Sequence, residues 1–103
     1  MHIWICEDKY DQETDLTSHL TYKGALLSAI TSLTDYCPEE IVEEQMLKEH
    51  AVTKELLDKL RASNIEDLPT AELEEGYEKI LPFVMECCDY MCFVDIHRTN
   101  LQP

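Results

Sequence analysis

Positive charge is what this sequence has least of. Eight Lys and Arg stand against 22 Asp and Glu, a formal net charge of −14 over 103 residues. Phosphate backbones are gripped by Lys and Arg, so this balance argues against direct binding of nucleic acid. It disfavours an anionic membrane surface on the same ground. Glycine is scarce too: Gly24 and Gly76 stand alone, and neither belongs to a glycine-rich phosphate loop. No apolar run approaches the ~20 residues needed to span a bilayer. The start of the chain, Met1-His2-Ile3-Trp4-Ile5-Cys6-Glu7-Asp8, lacks the basic and long apolar stretches of a secretion signal. No nucleophile sits in an elbow or triad motif. These absences lead to the expectation of a cytoplasmic protein without a cofactor.

What is present is enough for one folded domain spanning residues 1–103. Apolar residues make up 45% of the chain, and four prolines and two glycines interrupt it. A disordered acidic tail would be poorer in aromatic and aliphatic residues. The five cysteines are odd in number and badly placed for a disulfide scaffold. Cys87, Cys88 and Cys92 crowd one apolar segment, while Cys6 and Cys37 lie apart. Reduced thiols that pack as small hydrophobes are the expectation.

Periodicity outlines the elements. Ile3-Trp4-Ile5-Cys6 is β-rich and apolar on both faces, which suits an inner strand. The polar stretch Asp8 to Asp15 reads as a hairpin loop. Leu16, Ser18, Leu20 and Tyr22 then alternate with Thr17, His19 and Thr21, the period of a second, antiparallel strand. From Lys23 the spacing becomes helical, with Leu26, Ile30, Leu33 and Cys37 on one stripe. Pro38 suits the first turn of a second helix carrying Ile41, Val42, Met46 and Leu47. Thr53 is placed to cap a third, bearing Leu56, Leu57 and Leu60. Leu68-Pro69-Thr70 opens a fourth, which Pro82 should break or kink, leaving Phe83 to Met91 as a short fifth. Cys92, Val94 and Ile96 alternate against Phe93, Asp95 and His97 in a closing strand. The expected fold is α+β: an antiparallel sheet of about three strands, β-β-α…α-β, with helices on one face.

Three constellations carry candidate chemistry. The first is acidic. Glu39 with Glu43, Glu40 with Glu44, and Glu74 with Glu78 lie one helical turn apart, and Glu72 with Glu75 lie three residues apart. Like charges at these spacings cost roughly 0.2–0.5 kcal/mol per pair. Such a face is either a solvated surface or one that imitates nucleic-acid phosphates and occupies a basic groove. The second is a pair of His-x-Thr units, His19-Leu20-Thr21 and His97-Arg98-Thr99. On neighbouring strands they would bring two imidazoles and two hydroxyls together on the uncovered sheet face; otherwise they are two solvent-facing histidines. The third is Cys87-Cys88-x-x-x-Cys92 with His50 or His97. Structural zinc usually takes two separate Cys knuckles, so these thiols read as core packing, and no metal is expected.

The paired His-x-Thr units resemble the motifs of the 2H phosphoesterases, with Tyr22 matching the hydrophobic residue that follows each motif and Asn100 departing from it. That resemblance implies a phosphodiesterase with His19 and His97 as general acid and base and His19, Thr21, His97 and Thr99 as its catalytic residues. As a whole, the chain is similar to small acidic anti-CRISPR and anti-restriction proteins of phages and other mobile elements, in size, acidity and the immediate strand His2 to Cys6. This similarity implies a non-enzymatic inhibitor acting in the host cytoplasm. Its partner would be a basic, nucleic-acid-binding protein such as a CRISPR effector or restriction enzyme. Glu39, Glu40, Glu43, Glu44, Glu72, Glu74, Glu75 and Glu78 are the candidate contacts. A self-associating module, homodimeric through the open sheet face or an edge strand, is the further alternative.

Overall fold

A computed structural model of the chain describes residues 2–36, 52–88 and 90–100. The expected helix from Pro38 to near His50, with Glu39, Glu40, Glu43 and Glu44, lies outside these described residues.

The order is β1 (His2–Tyr10), β2 (Glu13–His19), α1 (Tyr22–Tyr36), α2 (Lys54–Arg61), a 3-10 turn (Ile65–Asp67), α3 (Thr70–Cys87) and β3 (Cys92–Asn100). The strands form an antiparallel sheet in the order β2-β1-β3. The most apolar strand is thus the central one, as its two-sided pattern predicts. The fold is α+β, with three helices among the described residues.

Alternation divides the sheet into two faces. Trp4, Cys6, Asp8 and Tyr10 of β1 share a face with Cys92, Val94 and Ile96 of β3. On this face Cys6, Cys92 and Val94 are fully buried. Leu26, Ile30 and Leu33 of α1 and Leu73, Ile80, Phe83 and Val84 of α3 complete the core, with Leu57 and Leu60 of α2 at its margin. Each such side chain contributes about 1.5–3 kcal/mol by leaving water. The other face carries Ile5, Glu7, Leu16, Phe93, Asp95 and His97, and no described helix covers it.

Three local expectations need correction. Asp8 to Asp15 is not a loop: β1 runs to Tyr10 and β2 resumes at Glu13, joined by Asp11 and Gln12. Asp11 adopts φ 57°, a left-handed conformation that Asp tolerates and a two-residue hairpin requires. Stacking of Tyr10 on Tyr36, ring centroids 4.9 Å apart, supports this polar arm of the hairpin from the helix side. The second strand also ends early. Thr21 leaves the sheet and caps α1, its hydroxyl accepting the Gly24 N–H at 3.0 Å. Finally, Pro82 does not divide the last helix: α3 is continuous from Thr70 to Cys87. Pro82 lies on the exposed side, where water can take the hydrogen bond its ring removes. The cap at Thr53 does form, its hydroxyl accepting the Leu56 N–H at 3.1 Å.

Candidate interaction surface

The two His-x-Thr units do not converge. β1 separates β2 from β3, and its consecutive residues Trp4 and Ile5 pair with His19 and His97 respectively. Consecutive strand residues face opposite sides, so His19 lies on the helix side and His97 on the open side. His19 Nε2 is 2.9 Å from Thr17 Oγ1, which in turn lies 3.3 Å from Ser28 Oγ on α1. His97 Nε2 lies 3.2 Å from Glu7 Oε2 and 3.3 Å from Asp95 Oδ2. Glu7 is held below the ordinary carboxylate range, first by its bond to Lys9 and then by His97. Thr21 is committed to capping α1, and Thr99 shares the open face with His97.

Two of the thiols, Cys6 and Cys92, are buried, whereas Cys87 and Cys88 are half-buried and Cys37, like His50, lies outside the described residues. Burial raises the Cys6 thiol and pushes that of Cys92 up to about 12. Both are packing groups rather than thiolates. Among the described residues no group of three His, Cys, Asp or Glu side chains is arranged to hold a metal ion. No described helix is long and apolar enough to cross a membrane.

The acidic residues of α3 are partly engaged. Glu72 pairs with Lys59 of α2 at 2.9 Å, and Glu75 pairs with Lys79 one turn along at 3.1 Å. These four side chains line a shallow depression against Gly76 and Leu56. Glu74 is bonded to Tyr22 at the start of α1. Burial, then the bond to Glu74, pushes that phenol up to about 12. Tyr22 in turn packs on Trp4 with centroids 4.7 Å apart. Glu78 is exposed. The helix stripe is therefore less negative than its sequence spacing implies.

The hairpin arm gathers carboxylates, of which Glu7 is paired with Lys9 at 2.9 Å. Asp8 and Asp15 stand directly opposite one another, with Tyr10 opposite Glu13 and Asp11 at the turn. Like charges placed this way are destabilising. The Tyr36 hydroxyl donates to Asp8 Oδ1, and burial followed by that carboxylate raises the phenol. Exposed Tyr10, Tyr90 and Met91 surround this end of the sheet, and the Asp11 N–H donates to the Met91 carbonyl at 2.7 Å. The alternation of Glu13 and Asp15 with Thr14 and Leu16 is the sequence signal of this strand, and the polar composition of Asp8 to Asp15 masks it.

Comparison with protein-family models, with curated proteins and with solved structures finds no match for this chain. The site rests on its own geometry.

Proposed function

We propose that this chain is a non-enzymatic acidic binding protein that docks on a basic surface of a larger protein and blocks it. A nucleic-acid-processing partner, such as a host defence nuclease, is the class whose grooves carry the required charge. The opposed Asp8–Asp15 pair carries the reading. Opposed carboxylates, within a chain of net charge −14, concentrate negative potential at one end of the sheet, and such potential steers a basic partner and sets its register. The separation of His19 from His97 across the sheet supports this reading over a phosphodiesterase, whose two imidazoles act on one phosphodiester.

Affinity capture from nuclease-treated host lysate at low and high salt tests the proposal. The expected result is a stoichiometric nucleic-acid-binding partner, released by salt and competed by duplex DNA. Charge reversal of Asp8 and Asp15, or of Glu39, Glu40, Glu43 and Glu44, should abolish capture while the fold remains. Capture unchanged by both reversals would sink the mimicry, and recovery of the chain alone would favour self-association.

A further inference from the structure

We infer that the outer edge of β2 is the docking site, and that its occupant is an extended, basic segment of the partner protein added to the sheet as a fourth strand. The inference rests on the binding reading above and names its surface.

Backbone direction comes from the hairpin. In an antiparallel pair each residue turns both its N–H and its C=O to one neighbour, and the next residue turns both to the other side. The two-residue turn makes Tyr10 and Glu13 the closing, mutually bonded pair. Glu13, Asp15, Thr17 and His19 therefore spend their backbone groups on β1, while Thr14, Leu16 and Ser18 turn theirs outward. The same phase appears across the sheet. The Asp11 N–H reaches the Met91 carbonyl on the β3 side, so Val94 and Ile96 carry outward groups of β3.

The two edges differ in how they are finished. On β3 the Tyr77 hydroxyl donates to the Val94 carbonyl at 2.7 Å, and the Ile96 N–H donates to Asp95 Oδ1 at 2.9 Å. Side chains have blunted that edge. Among the described residues no side chain does this for Thr14, Leu16 or Ser18. The register of β2 with β1 is unbroken, so no bulge twists it away. Its sequence, Glu13-Thr14-Asp15-Leu16-Thr17-Ser18-His19, has no Pro, Lys or Arg. Bulges, proline and lysine are among the devices by which natural sheets protect an edge, and β2 has none of these; its guarding charges are Glu13 and Asp15, which repel an acidic strand and admit a basic one.

Charge selects the occupant. A strand laid along β2 would set alternate side chains beside Glu13 and Asp15 on one face, with Asp8 in the next row. Its other side chains would lie beside Thr14 and Leu16, and Leu16 is 64% exposed. The fitting segment alternates Lys or Arg with apolar or β-branched residues. A second copy fits worse, since it brings its own Glu13 and Asp15 and a further net charge of −14 to the seam. Main-chain bonds would give affinity and the alternating side chains specificity.

The test titrates the full chain with a capped ten-residue peptide alternating Lys and Val, and with the same peptide N-methylated at alternate residues. The expected result is slowed amide exchange at Thr14, Leu16 and Ser18, with at least tenfold weaker binding of the methylated peptide. Thr14→Pro, which removes an outward N–H where an edge tolerates proline, should weaken binding without lowering the melting temperature. Equal binding of both peptides, with the same salt dependence, would overturn strand addition while leaving the charge reading intact. Binding of neither would also overturn the assigned site, and lysate capture would then judge the charge reading separately. Concentration-dependent mass of the chain alone, lost in Thr14→Pro, would assign the edge to a second copy instead.

Discussion

Replacing Asp15 by Asn should make this protein more stable, and the gain should vanish in salt. Asp15 is paired with Asp8 across the hairpin in the closely bonded phase, which holds the Cα atoms about 5.5 Å apart. Two unit charges at that distance repel by about 0.75 kcal/mol in a medium of water's dielectric constant. That value falls within the roughly 0.2–1 kcal/mol found for cross-strand pairs. The Tyr36 hydroxyl already takes part of the charge of Asp8, so about 0.5 kcal/mol is the expected gain. For a domain of this size 1 kcal/mol corresponds to ~4–8 °C, so Asp15→Asn should raise the melting temperature by about 2–4 °C at low salt. In 1 M salt the Debye length shrinks to ~3 Å, and less than half of the rise should remain. Thermal unfolding followed by circular dichroism at both salt concentrations is the assay. Glu66→Gln, an exposed acid in the 3-10 turn, controls for the general relief of net charge. A variant that melts lower than the parent, or whose gain is matched by Glu66→Gln, would refute the reasoning. The same Asp15→Asn change should weaken capture of a basic partner, so stability and binding should move in opposite directions.

Two further outcomes test the architecture. Tyr77→Phe removes the hydroxyl bonded to the Val94 carbonyl and should cost about 0.5–1.5 kcal/mol in urea unfolding; an unchanged midpoint would mean the bond contributes nothing. Alkylation with iodoacetamide at pH 8 should spare Cys6 and Cys92, which burial keeps as thiols, until urea unfolds the chain. Peptide mapping that finds either labelled in the native state, as fast as a free cysteine, would show that this side of the core opens.

Local patterns carried much of the architecture. The β-rich Ile3-Trp4-Ile5-Cys6 could be recognised as an inner strand because both of its faces are apolar, and it is the central one. The spacing of Leu26, Ile30 and Leu33 identifies the buried stripe of α1, and Thr53 marks the start of α2 because a hydroxyl there can satisfy a free N–H. Cys92 and Val94 alternate inward as their period requires. Each of these outcomes depends on neighbours within a few residues, which is the range over which sequence pattern and backbone geometry are coupled.

The site depended on longer-range relations. Whether His19 and His97 meet is decided by their partners on β1. Those partners, Trp4 and Ile5, are adjacent in sequence and face opposite ways. The opposition of Asp8 and Asp15 depends on a turn of two residues, a length that polar composition between two strands does not specify. The engagement of Glu72 by Lys59 and of Glu74 by Tyr22 required three helices to be set side by side. Composition alone determined that this chain is strongly acidic and apolar enough to form a core. Only the tertiary structure decided where the carboxylates are neutralised and where they are forced together. Strand pairing and helix packing join residues far apart in the chain, and those contacts follow from the register and the packing of the whole fold rather than from any local period.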